Sequence, residues 1–187
     1  GEIYNFADIR SELMDKYNIQ FRSTSDTEIL LEAFARWGIE KTLAKIKGMY
    51  AIALYDREEK KLYLIRDRMG EKPLYYGFVN GNFVFASTLN AICSLEDFDR
   101  KINPSVLKLY LQYGYIPAPY SIFQGIYKLE AGCYLTIQKP YEKYDKHIYW
   151  DIEKIAVSGQ KHLFQGSFEE ASEELEKRIR ESVQKQL

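Results

Sequence analysis

Through the first quarter of the chain apolar residues recur every three or four positions, and near residue 49 that spacing gives way to short, nearly continuous apolar runs. Asn5 is placed to cap a helix in which Ile9, Leu13, Met14 and Tyr17 share one face. Ser25-Asp26-Thr27-Glu28 has the spacing of a capping box, in which the serine hydroxyl and the glutamate carboxylate each satisfy a free backbone N–H. Ile29, Leu30, Ala33, Phe34 and Trp37 continue that helix until Gly38 stops it, and a second short helix bearing Leu43 and Ile46 is expected to end at Gly48. From Met49 to Tyr55 the chain is apolar throughout, as a strand covered on both faces would be, and the polar stretch 56–60 turns it into a partner run at Leu62–Ile65. Leu74–Val79 and Phe83–Ala86 form another pair across Asn80-Gly81, a dipeptide suited to a two-residue turn of positive φ. Such tight connections require antiparallel pairing, which excludes a Rossmann-like parallel sheet.

Asn103-Pro104 opens a helix carrying Leu107, Tyr110 and Leu111 and closed by Gly114, and Pro117-Ala118-Pro119 follows as a stiff exposed loop. Cys133–Ile137 and the stretch ending Ile148-Tyr149-Trp150 read as further strands. Residues 151–166 read as a linker. Ser167 and Glu170 then form a second capping box before a helix whose Phe168, Ala171, Leu175, Ile179, Val183 and Leu187 make one narrow stripe. That stripe calls for a partner surface. With Gly1 at its head and this unstopped helix at its tail, the sequence reads as cut at both ends.

Composition narrows the chemistry. Twenty-six basic residues balance twenty-seven acidic ones, and the basic residues cluster no more densely than pairs such as Lys60-Lys61, so neither nucleic acid nor an anionic membrane is an expected partner. Cys93 and Cys133 lie in apolar surroundings and read as reduced, buried thiols, which points to a cytoplasmic protein. His147 and His162 share no familiar ligand spacing with the cysteines, so no metal site is expected. No phosphate loop and no serine-hydrolase elbow occurs.

Three features remain as candidate chemistry. Asp26, the first residue after a helix cap, would ordinarily complement the helix dipole, and it could also meet a ligand's ammonium group. Glu2 stands beside Gly1, whose bare backbone lets a substrate approach its N–H. Arg66-Asp67-Arg68 reads as an ion-pair cluster at a strand end. Tyr75-Tyr76 and Tyr110, Tyr113 and Tyr115 read as core and interface residues, since no basic side chains interleave with them.

Read together, Gly1-Glu2-Ile3-Tyr4-Asn5, Ser25-Asp26-Thr27-Glu28, Gly48-Met49-Tyr50-Ala51, Arg66-Asp67-Arg68-Met69-Gly70-Glu71-Lys72-Pro73-Leu74-Tyr75-Tyr76-Gly77, Phe85-Ala86-Ser87, Tyr113-Gly114-Tyr115-Ile116-Pro117-Ala118-Pro119 and Tyr149-Trp150-Asp151 resemble the glutamine-hydrolysing asparagine synthetases. The Glu71–Tyr76 and Gly114–Pro119 segments separate that family from the amidotransferases that make glucosamine phosphate or phosphoribosylamine. The resemblance implies an α+β fold of the N-terminal-nucleophile type, two antiparallel sheets between helix layers, incomplete at the N-terminus. It implies a partial glutamine amidotransferase domain over 1–150, a linker over 151–166 and, over 167–187, the first helix of a synthetase domain.

Carried over by position, the resemblance makes the Gly1 N–H an oxyanion donor and places Glu2, Ser25 and Asp26 in the glutamine pocket, Asp26 gripping the α-ammonium. The family's nucleophilic cysteine, its carboxylate-binding arginine and the asparagine before Gly1 have no counterpart in residues 1–187, and Cys93 and Cys133 match none of them. Residues 1–187 alone are therefore expected to be inactive. The intact protein is expected to use glutamine, aspartate and ATP with magnesium, the last two in the synthetase domain, and to form a homodimer. Amidation of another acid, such as a sugar acid, and a non-catalytic regulatory or scaffold role are the alternatives. Thr88 and Asn90 stand where the family commonly carries Glu and Lys.

Overall fold

A computed structural model describes residues 1–139 and 141–186, which fall into two compact units. One unit comprises residues 2–48 and 151–187, and the other Gly1 and residues 49–150.

The first unit begins with a two-residue strand β1 (Glu2–Ile3), followed by α1 (Phe6–Tyr17) and α2 (Asp26–Lys45). Helices α1 and α2 pack on one another. Ile9 and Leu13 on α1 and Ile29, Ala33, Phe34 and Leu43 on α2 are buried, whereas Met14 and Tyr17, expected on the same face, are exposed. Asn5 precedes α1 without capping it. Its side chain instead donates to the Lys45 carbonyl and accepts from the Lys47 N–H, tying the start of α1 to the end of α2. Gly38, at φ 74°, breaks α2 into the two helical pieces its spacing predicts, in a conformation that costs glycine least. β1 lies against Gly48, the first residue of β2 (Gly48–Met49), where any side chain would run into the Glu2 carbonyl oxygen.

The second unit holds two antiparallel sheets. The hairpin of β3 (Ala51–Asp56) and β4 (Lys61–Arg66) pairs Ala51 with Arg66 and Asp56 with Lys61. β5 (Tyr75–Val79) and β6 (Asn82–Ala86) pair across Asn80 and Gly81, whose φ angles of 47° and 77° suit the turn their side chains predict. Past them come two short elements the periodicity does not announce, α3 (Leu89–Cys93) and, beyond α4 (Pro104–Tyr113), β7 (Ile126–Lys128). The chain then runs through β8 (Cys133–Gln138) and β9 (Tyr144–Ile148). Strand order is β3-β4-β8-β9 in one sheet and β6-β5-β7 in the other. Leu64, Leu135 and Ile137 of the first sheet meet Tyr76 of the second, with Leu74, Leu129 and Cys133, in one buried cluster. On the opposite face of the smaller sheet Val79 and Ile126 pack with Ile92 of α3.

Two expectations about burial fail for the same reason. β3 is an edge strand, so its apolar run is only half covered and Tyr55 stands exposed. α4 has the predicted bounds, capped by the Asn103 side chain and ended by Gly114 at φ 74°. Yet it buries Val106 and leaves Leu107, Tyr110 and Leu111 exposed, 84% in the case of Leu111. Both elements carry more apolar surface than this unit covers.

Within the stretch read as a linker the structure has a helix, α5 (Ile152–Lys161), which buries none of its residues. The final helix α6 (Phe168–Gln184) has the expected capping box, with Glu170 N–H donating to Ser167 Oγ at 3.2 Å and Ser167 N–H to Glu170 Oε2 at 2.8 Å. Its stripe of Phe168, Leu175, Ile179 and Val183 is exposed, and Leu187 lies outside the described residues. No helix among the described residues is long and apolar enough to cross a membrane.

Gly77, in the middle of β5, faces the Gly125 carbonyl oxygen so closely that a methyl group there would overlap it. Gly77→Ala should lower stability by about 1–3 kcal/mol through overpacking, read as a shift of the urea midpoint. An unchanged midpoint would contradict this packing.

Candidate functional site

In the first unit, β1 and the N-terminus of α2 converge on one carboxylate. Asp26 is the first residue of α2, and its Oδ2 accepts the Ile3 N–H at 3.3 Å while Oδ1 accepts the Thr27 hydroxyl at 3.4 Å. The side chain is half-buried, and no cation among the described residues lies within ion-pair distance of it. Four acceptor positions on an ionised carboxylate are thus met by two weak donors, which leaves capacity for an incoming ammonium group. The adjoining Tyr4 N–H donates to the Lys47 carbonyl at 2.8 Å, and with the Asn5 bonds this fixes the course of the chain just after Glu2. The Glu2 side chain is exposed.

Ser25 caps α2 through its hydroxyl, which accepts the Thr27 N–H at 3.2 Å. The reciprocal half of the expected capping box is absent, because Glu28 is engaged elsewhere. Its carboxylate accepts the Arg22 N–H at 2.9 Å, the Ser23 N–H at 2.8 Å and the Ser23 hydroxyl at 2.6 Å, and the Ser25 N–H turns to Ser23 Oγ at 3.2 Å. Glu28 therefore shapes the loop that delivers Ser25 and Asp26. Arg10 anchors the same loop by donating to the Ser23 carbonyl at 2.9 Å while stacking over Phe21.

In the second unit, Gly1 rests on the peptide joining Met49 and Tyr50; a β-carbon at Gly1 would stand 2.7 Å from the Met49 carbonyl oxygen. In the Arg66-Asp67-Arg68 segment the first two side chains turn to backbone groups. Asp67 is fully buried and takes its hydrogen bonds from backbone N–H groups, and the Arg66 guanidinium donates to the carbonyls of Lys72, Leu129 and Gly70. Burial pushes the Arg66 pKa down. Alternating charge is what sequence shows; that both side chains turn to backbone is decided by the loop 67–73 folding around them.

Cys133 is buried in the cluster between the two sheets, and Cys93 ends α3. His147 lies on the edge strand β9, stacked on Tyr134, and His162 caps the exposed end of α5.

Two antiparallel sheets sharing a core, joined with helices, are the N-terminal-nucleophile amidotransferase fold. A glutamine phosphoribosylpyrophosphate amidotransferase from B. subtilis has a similar structure, with a TM-score of 0.55 and 20% identity over 79% of this chain and 27% of its own. The chain belongs to the glutamine amidotransferase domain family, whose model matches residues 1–150. Among curated relatives it is 31% identical to a putative glutamine-hydrolysing asparagine synthetase 2 of Methanocaldococcus jannaschii, over 88% of this chain and 33% of that protein. It is 30% identical to the glutamine-hydrolysing asparagine synthetase 3 of Bacillus subtilis, over 100% of this chain and 29% of that protein. The chain thus spans between 19% and 33% of the length of the curated relatives it matches.

The hydrogen bonds to Arg22 and Ser23 hold the Glu28 carboxyl below its ordinary 4.5, with the Arg22 N–H the largest cause. A depressed carboxylate pKa contributes stability that is complete above the unfolded value and is lost as pH falls through the folded one. Glu28→Gln should lower the melting temperature at pH 7, and the gap from wild type should close as pH drops below 4.5. A gap that stays constant down to the lowest accessible pH would rule out this role.

Proposed function

We propose that the intact protein is an ATP-dependent asparagine synthetase that hydrolyses glutamine and passes the ammonia to an activated aspartate. The observation that carries the glutamine half is the Asp26 carboxylate, half-buried at a helix N-terminus, held by the Ile3 N–H and without a counter-cation among the described residues. An amino-acid ligand supplies the missing positive charge, and a charge-assisted hydrogen bond there is worth about 1.5–3 kcal/mol.

In this reading Asp26 binds the glutamine α-ammonium, Glu2 adds a second acidic contact, and Ser25 holds Asp26 at the start of its helix. The amide of Gly1 donates to the oxygen of the glutamine carboxamide as it gains charge under attack by a cysteine thiolate, the point at which a fixed N–H counts most. That cysteine is neither Cys93 nor Cys133. With Asp26 and Glu2 as the charged contacts, gross binding of about 3–6 kcal/mol sits near a millimolar site, and residues 1–187 alone should show no glutamine turnover.

Residues 1–150 are then a partial amidotransferase domain, 151–166 its linker and 167–187 the first helix of a synthetase domain. The unpartnered stripe of α6 supports that last assignment. Magnesium and ATP would belong to the synthetase domain, where they would convert the aspartate carboxylate into a mixed anhydride with AMP and release pyrophosphate. The reaction suits a cytoplasmic enzyme.

Asp26→Ala in the intact protein should raise the KM for glutamine about 10- to 150-fold, the loss of one charge-assisted bond, while ammonia-supported asparagine formation stays at the wild-type rate. An unchanged glutamine KM would refute the assignment of Asp26.

A further inference from the structure

Asp67 follows β4 and is completely buried. A carboxylate removed from water needs its lone pairs met, and here the backbone meets them. Oδ1 accepts the N–H groups of Met69 at 3.1 Å and Glu71 at 2.9 Å; Oδ2 accepts those of Lys72 at 2.9 Å and Tyr50 at 3.2 Å. Three of these donors lie in the loop directly after Asp67. Tyr50 does not: it sits seventeen residues upstream.

The bond to Tyr50 has a particular geometry. Its N–H belongs to the same peptide group whose carbonyl, that of Met49, lies against Gly1. A peptide group is planar, so fixing the N–H on one side fixes the direction of the C=O on the other. The next carbonyl, that of Tyr50, accepts the Asp67 N–H at 2.9 Å, so Asp67 holds Tyr50 at both its amide and its carbonyl. The Tyr50 phenol is held too, 3.0 Å from the Tyr149 hydroxyl, which donates to the Arg66 carbonyl at 2.7 Å. On this platform only glycine fits, since any side chain at residue 1 would strike the Met49 carbonyl oxygen or Tyr50 Cα.

We infer that Asp67 is a positioning residue for glutamine hydrolysis: through the Met49–Tyr50 peptide it sets where the Gly1 amide points, with Tyr149 as the second support of the same platform. The inference rests on the functional reading above, in which the Gly1 N–H stabilises the oxyanion. That amide matters when charge develops on the substrate oxygen, whereas Asp26 and Glu2 act on the bound ground state. Disturbing the platform should consequently cost turnover and spare affinity.

The test is steady-state glutamine hydrolysis by the intact protein, comparing wild type, Asp67→Asn and Tyr149→Phe. Asn turns two of the four backbone donors toward an NH2 group, and kcat should fall about 10- to 100-fold, short of the 10²- to 10³-fold loss of an entire oxyanion donor. Tyr149→Phe removes one hydroxyl and should lower kcat about 3- to 10-fold. In both variants the KM for glutamine should stay within about twofold of wild type. If Asp67→Asn shows no cooperative melt, Tyr149→Phe decides alone. Folded variants whose kcat is unchanged, or whose KM rises in step with the fall in kcat, would overturn the inference. A wild type with no glutamine turnover would instead refute the functional reading, and this inference with it.

Discussion

A fully buried carboxylate, that of Asp67, organises the larger unit of this protein. Placing a carboxylate in the interior is costly unless hydrogen bonds replace its hydration, and Asp67 achieves this by gathering four backbone amides. The consequence reaches well beyond one residue. The loop 67–73 closes around the charge, Gly132 N–H joins the Asp67 carbonyl at 2.9 Å, and the start of the β3 hairpin is drawn in through Tyr50. Arg66 complements this from the other polarity, donating to three carbonyls of the same region. Together the pair satisfies backbone groups that a loop at the junction of two sheets would otherwise leave unmet.

The smaller unit uses the same device nearer the surface. Glu28 collects the amides of Arg22 and Ser23 and so sets the path by which Ser25 and Asp26 enter their helix. Asp26 takes the Ile3 amide and retains unused acceptor capacity. Asp67 collects four donors, Glu28 three and Asp26 two, so Asp26 keeps the most acceptor capacity of these three.

Much of the secondary structure is legible from spacing alone, because its signals are local. Asn80-Gly81 dictates its turn, Asn103-Pro104 and Gly114 bound their helix, and Gly38 breaks α2 where its position predicts. Burial is less legible. An apolar run reads the same whether its strand is central or at an edge, so β3 looked doubly covered, and Leu111 looked like core although it is 84% exposed. α3 and β7 are too short to impose a period, whereas α5 carries Ile152, Ile155 and Ala156 at helical spacing behind the Asp151 cap, a signal that the linker reading passes over. At the site, the resemblance to asparagine synthetases singled out Gly1, Glu2, Ser25 and Asp26, and capping chemistry independently marked Asp26. Glu28 reads in the sequence as half of a capping box but binds residues 22 and 23, and the hydrogen bonds of Asp67 go to backbone amides. Charge spacing cannot distinguish a carboxylate that pairs with a side chain from one that pairs with distant amides.

The stripe of α6 and the apolar face of α4 remain exposed. The central claim is that Asp26 receives the amino group of glutamine. A crystal structure of the intact protein with glutamine bound tests it most directly. The α-ammonium nitrogen should lie within hydrogen-bond distance of an Asp26 carboxylate oxygen. Glutamine bound with its ammonium on another acid, or lodged away from β1 and the start of α2, would contradict it.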